Sequence, residues 1–262
     1  MKKILFTLAL CAAVLTGCKG GGQKSAQSLE EAGQAFMEQM EAIYSDETLS
    51  PDEMEAKALD LYKQTYEEHK ADSLGLDLFT MLLSNDVWSF DEAKSEFENA
   101  APLIKENNRV QRYMKLLESQ QAVAPGQPYK DIAGPDAKTG KDLSISAVLA
   151  QGKPVIVDFW ASWCRPCRNE ISTTLSAAAL KYKNQINVLG IAVWEDKLED
   201  TQKAMGELPI SWPVIFGGGR ADSPSELYGV MGIPTLVGIN ADGTIAAISH
   251  STEDILAAFG LE

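Results

Sequence analysis

The feature that most constrains this chain is a change of hydrophobic period near residue 123. Before it, apolar residues recur three and four positions apart, the spacing of one helix face. Leu29, Ala32, Phe36, Met40 and Ile43 form one such stripe, and Leu59, Tyr62 and Tyr66 form another. Ser28-Leu29-Glu30-Glu31 and Ser89-Phe90-Asp91-Glu92 have the form of capping boxes, in which serine and glutamate satisfy free backbone N–H groups at a helix start. Ser50-Pro51-Asp52-Glu53 is a further start signal, with proline at the first helical position. Val110, Tyr113, Met114 and Leu117 make a last stripe, and Leu74 to Leu83 suits a short helix. Residues 28–122 are therefore expected to form a small all-α domain of four or five helices.

Val123-Ala124-Pro125-Gly126-Gln127-Pro128 breaks that pattern as a linker or lead-in loop. Beyond it, Val155–Trp160 and Ile186–Trp194 are continuous apolar runs of the kind that form buried strands. Val214–Phe216, Thr235–Ile239 and Thr244–Ser249 are shorter runs. Helical patterns separate them at Arg165–Tyr182, Leu198–Glu207 and Ser223–Val230, and a last helix is expected over Thr252–Phe259. Asn240-Ala241-Asp242-Gly243 is a turn that should join the final two strands as an antiparallel hairpin. Residues 123–262 thus read as an α/β domain with a central mixed sheet flanked by helices.

The N-terminus carries a targeting signal. Lys2 and Lys3 precede an apolar run from Ile4 to Leu15, shorter than the ~20 residues a membrane-spanning helix needs. The sequence Leu15-Thr16-Gly17-Cys18 resembles the lipobox of bacterial lipoproteins. The resemblance implies that residues 1–17 are a signal peptide, that Cys18 is lipidated, and that residues 18–27, with Gly20-Gly21-Gly22, form a flexible tether to the membrane. It also implies a bacterial cell-envelope protein. Lys19, in place of an inner-membrane-retaining aspartate, favours the outer membrane, facing the periplasm. A formal charge of −14 argues against nucleic-acid binding.

Once Cys11 leaves with the signal and Cys18 carries lipid, Cys164 and Cys167 remain. A disulfide between them closes almost no loop, so stapling is a poor explanation for the pair. They lie where a buried strand ends and a helix begins. Free N–H groups and the helix dipole there favour an anion, which lowers a thiol pKa from ~8.5 towards ~7. Cys164 is expected to be the reachable, attacking thiolate and Cys167 the shielded thiol that resolves the mixed disulfide. Zinc would need four ligands; only His69 and His250 could assist, and they fall in different expected domains. No metal is expected, and no cofactor beyond the redox-active pair itself.

Val157-Asp158-Phe159-Trp160-Ala161-Ser162-Trp163-Cys164-Arg165-Pro166-Cys167 resembles the active-site segment of the thioredoxin superfamily, and Gly232-Ile233-Pro234-Thr235 resembles its cis-proline segment. Within the superfamily the chain is most similar to the membrane-anchored TlpA and ResA branch, which shares the lead-in at Gly126-Gln127-Pro128, Asp142-Leu143-Ser144 and Gly152-Lys153-Pro154. The resemblance implies a thioredoxin-like fold. It casts Asp158 as a buried acid that shuttles the Cys167 proton, although the anchored branch often has asparagine there. It matches Glu170 to an acid of that branch. It makes Pro234 cis, offers the Ile233 backbone to an extended client, and sets Trp163 as a lid, while Trp160, Trp194 and Trp212 are assigned to the core. The expected function is reduction of client disulfides, with electrons from a membrane or periplasmic thiol donor. An oxidase or isomerase, towards which Arg165 would push, and a non-catalytic binding lipoprotein are the alternatives. A peroxidase fits less well, because it would use a lone cysteine in a different setting.

Overall fold

The computed structural model describes residues 26–85, 87–219 and 223–261. The signal peptide, Cys18 and the glycine tether lie outside them; positions 26 and 27 already belong to the first helix. The described residues fall into two compact units, divided between Met114 and Lys115.

The first unit is helical: α1 (Ala26–Ser45), α2 (Pro51–His69), α3 (Ser73–Ser84), α4 (Phe90–Asn99), α5 (Pro102–Lys105) and the start of α6 (Asn108–Gln121). Capping boxes close the N-termini of α2 and α4, with Ser50 paired to Glu53 and Ser89 to Glu92. The box expected at Ser28 does not start a helix, because α1 already runs through it from Ala26. On α2 the buried residues are Ala58, Tyr62, Tyr66 and His69, the three-and-four spacing of one face. Aromatic pairs pack this core: Phe36 meets Tyr62 edge to face at 5.0 Å, and Phe79 meets Trp88 in a tilted pair at 5.1 Å.

In the second unit, β1 (Ala133–Pro135) and β2 (Asp142–Ser144) make a small antiparallel pair, followed by α7 (Ile145–Leu149). The main sheet uses β3 (Val155–Trp160), β4 (Asn187–Ala192), β5 (Val214–Phe216), β6 (Thr235–Ile239) and β7 (Ile245–Ser249), in the order β5-β4-β3-β6-β7. β3, β4 and β5 are parallel; β6 pairs antiparallel with β3 on one side and with β7 on the other. α8 (Arg165–Glu170), a π turn (Ile171–Leu175) and α9 (Ser176–Lys181) form one continuous helical stretch, and α10 (Leu198–Glu207) and α11 (Thr252–Ala258) complete the unit. The Ser223–Val230 segment is a 3₁₀ turn over Pro224–Tyr228, not the expected α-helix, ended by Gly229 at φ +60°.

Alternation along β3 assigns its two faces. Val155, Val157 and Phe159 enter one core with Ile145, Val148 and Tyr228. Ile156 and Trp160 enter the other with Cys167, Ile171, Leu175 and Ile255. Asp158 shares the phase of Ile156 and Trp160, so it points to the cysteine side. The proline-rich segment is a lead-in that packs on the sheet: Val123 is fully buried, Gly126 donates to the Ile245 carbonyl, and the Ile245 N–H donates to the Gln127 carbonyl.

Candidate active site

β3 ends at Trp160, and the turn Ala161–Trp163 delivers Cys164 to the N-cap of α8. Its backbone is extended there (φ −77°, ψ 101°), the usual N-cap geometry. The capping acceptor is the sulfur itself: the Cys167 N–H donates to Cys164 Sγ at 3.2 Å. Pro166 sits in the first turn, where no intrahelical donor is lost. Cys164 and Cys167 are joined in a disulfide with Cα atoms 5.3 Å apart.

The two sulfurs are unequal, as expected, but the opening is narrow. Cys167 is fully buried, and Cys164 is 4% exposed. Part of the cover is the Ile233 carbonyl, 3.7 Å from Cys164 Sγ. A disulfide sulfur has no proton to give, so this is a close approach and not a hydrogen bond. The Ile233–Pro234 peptide is cis. Thr235 Oγ1 donates to the Gly232 carbonyl at 2.7 Å, and His250 Nδ1 donates to the Pro234 carbonyl at 2.5 Å, so both ends of this segment are held.

Three acids lie on the segments that carry or brace the pair. Asp158 is 1% exposed, and its Oδ2 has no hydrogen-bond partner among the described residues. Burial, with a smaller push from Glu170, raises its carboxyl to about 8. Glu170 accepts the Thr252 N–H at 2.8 Å, which caps the start of α11 as well as placing a like charge near Asp158. Glu195 was not anticipated. It is 2% exposed, and its carboxylate takes both the N–H and the hydroxyl of Ser162, the latter at 3.0 Å. Burial raises its carboxyl above the usual range, against the lowering effect of the Ser162 bonds.

Trp163 is 57% exposed, with its indole N–H donating to the Trp194 carbonyl at 3.1 Å. Trp194 is only partly buried and has φ +59°, which for a bulky side chain costs on the order of 1–3 kcal/mol. Trp160 and Trp212 are core residues, as expected; Trp194 packs partly buried against the core and also reaches the site's rim. A cleft of about 390 Å³ opens beside Trp163, walled by Arg168, Glu195, Lys203 and Glu207 among others. Among the described residues, no cluster of His, Cys, Asp and Glu is arranged to hold a metal ion.

A family model described as AhpC/TSA family matches residues 125–248. A thioredoxin of Pseudomonas aeruginosa is 31% identical over 114 residues, covering 43% of this chain and 81% of that protein. This chain belongs to the thioredoxin superfamily. The thiol-disulfide oxidoreductase ResA of Geobacillus thermodenitrificans is 27% identical over 146 residues, 55% of this chain and 80% of that one. The solution structure of a thiol:disulfide interchange protein from a Bacteroides species aligns at 25% identity with a TM-score of 0.46, covering 53% of this chain and 89% of that one. In this thioredoxin-superfamily domain the strand, the Cys-x-x-Cys turn and the cis-proline converge as the sequence implied. The Cys164–Cys167 pair has the geometry for dithiol–disulfide exchange, and the chain is a thiol–disulfide oxidoreductase.

Proposed function

We propose that this chain reduces disulfides of protein clients in the bacterial cell envelope, held there by a lipid on Cys18. The observation that carries the reading is Cys164 at the α8 N-cap, its sulfur accepting a backbone N–H beside the cis Ile233–Pro234 peptide. In the reduced protein that N–H stabilises a Cys164 thiolate. The thiolate attacks one client sulfur, the client S–S bond breaks, and the other client sulfur leaves with the bond's electrons and takes a proton. Cys167 then gives its proton to Asp158 in the molecules whose buried carboxyl is ionised, a share that grows as pH approaches about 8. The Cys167 thiolate attacks Cys164 Sγ, and the second client sulfur departs. The client gains two electrons, and the chain is left with the Cys164–Cys167 bond. A thiol donor of the membrane or periplasm returns the electrons; no other cofactor takes part. During exchange the Ile233 backbone pairs with an extended client segment, and Trp163 borders it.

A reducing direction requires that the Cys164 thiolate be only modestly stabilised, because a less stabilised thiolate makes the couple more reducing. The reduction potential of the full chain, set against a glutathione buffer, should lie near the thioredoxin value of about −270 mV. A value near −120 mV would make it an oxidant of exported proteins instead. A Cys167→Ala variant should accumulate clients as mixed disulfides on Cys164. If none forms in cells, the protein is a binding lipoprotein and not a reductase. Among the described residues, no helix is long and apolar enough to cross a membrane.

A further inference from the structure

The turn Ala161–Trp163 carries the reactive cysteine but belongs to neither β3 nor α8, so its polar groups must find partners elsewhere. Those of Ser162 all do. Its N–H and hydroxyl go to the two carboxylate oxygens of Glu195. Its carbonyl accepts from the Arg168 guanidinium at 3.3 Å, and Arg168 is itself held by Glu207 at 2.8 Å. The next residue, Trp163, is tied by its indole to the Trp194 carbonyl. Two consecutive residues of the turn are thus gripped by two consecutive residues of the loop after β4.

That loop is built to hold still. Trp194 adopts the left-handed backbone between the carbonyl that takes Trp163 and the carboxylate that takes Ser162. Its own indole donates to Ser225 Oγ at 3.1 Å, and Ser225 to Ser223 Oγ at 2.9 Å. The Glu195 N–H donates to the Gly218 carbonyl at 3.1 Å. A buried carboxylate and a left-handed tryptophan are both unfavourable choices, and adjacent residues make them here for one target.

We propose that Glu195 is a positioning residue for dithiol exchange: by gripping Ser162 from the loop after β4, it fixes the turn that aims Cys164 at a client sulfur. The proposal rests on the disulfide-reductase reading above. Alignment of attacking and attacked atoms accounts for much of an enzyme's rate, so loosening this turn should slow the exchange step more than it weakens client binding.

The test uses the full chain in turnover with a peptide disulfide as the client, with dithiothreitol returning two electrons per cycle and its direct reaction with the peptide subtracted, alongside amide hydrogen exchange at Ser162. Glu195→Ala should lower kcat by about tenfold or more, with KM changed less than about threefold, and should speed exchange of the Ser162 N–H. Glu195→Gln, which offers an oxygen to the N–H and an amide group to the hydroxyl, should recover most of the rate and the protection. If Glu195→Ala does not fold, Glu195→Met fills the same space without accepting either bond and takes its place. An active wild type with an unimpaired Ala or Met variant overturns the proposal, as does a Gln variant as slow as Ala. A wild type inert towards the peptide overturns the reductase reading itself, and the positioning role with it.

Discussion

Replacing Asp158 with asparagine should alter how stability depends on pH. In an unfolded chain this carboxyl titrates near ~3.9, whereas burial in the native protein raises it to about 8. Between those values the native state keeps a proton that the unfolded chain has released, so stability falls as pH rises, by about 1.4 kcal/mol per pH unit. The contribution is whole below pH ~4 and is lost once pH passes about 8. From pH 5 to pH 8 the loss is on the order of 4 kcal/mol, less whatever water regains when the site relaxes. Asparagine has the same shape and no such proton. Asp158→Asn should therefore match wild type within about 1 kcal/mol at pH 5 and exceed it by a few kcal/mol at pH 8. The assay is urea unfolding of both oxidised proteins from pH 5 to 9, followed by the emission of Trp160, Trp163, Trp194 and Trp212 in the second unit. Parallel pH curves for the two proteins would refute the reasoning, because they would mean that Asp158 is hydrated and titrates normally.

Glu170→Gln keeps an oxygen for the Thr252 N–H but removes the like charge that adds to the rise at Asp158, so the pH-dependent stability loss should move towards acid. An unmoved curve would separate the two acids. Gly229→Ala should cost about 2–4 kcal/mol in urea unfolding, because the backbone is left-handed and the new methyl group would stand 2.3 Å from the Leu116 carbonyl oxygen. Wild-type stability in that variant would mean the turn can swing away freely. Despite the AhpC/TSA match, the reduced chain should consume hydrogen peroxide far more slowly than it reduces a peptide disulfide; comparable rates in a stopped-flow comparison would reassign it as a peroxidase.

Much of the fold was legible because its signals are local. The Val155–Trp160 run emerges as β3, Leu198–Glu207 as α10, and the serine–glutamate boxes at Ser50 and Ser89 cap the helices they announce. Where local signals compete, the reading slips. Ser28 has the same box, yet α1 begins upstream of it. Pro224–Tyr228 has a helical pattern but closes as a 3₁₀ turn. β1 and β2 are three residues each, too short to show any period. In the site, spacing located the cysteines and the motif located Pro234. Glu195 escaped notice because its meaning lies 33 residues away at Ser162, across two parallel strands. Trp194 closes an apolar run and packs against the core as that run implied, but hydrophobicity does not report its left-handed backbone. The end of the Ile186–Trp194 run, a bulky aromatic followed by an acid where a buried strand must stop, was the clue available.

Because Cys164 shows 4% of its surface and Cys167 none, a sulfur coming from outside can touch the pair at one atom alone. Attack on a bridged sulfur runs in line with the bond it breaks, so whichever thiol opens the Cys164–Cys167 bridge has to bond to Cys164 and leave the electrons on Cys167. The inner sulfur is thereby spared any outside partner, on the way in and on the way out.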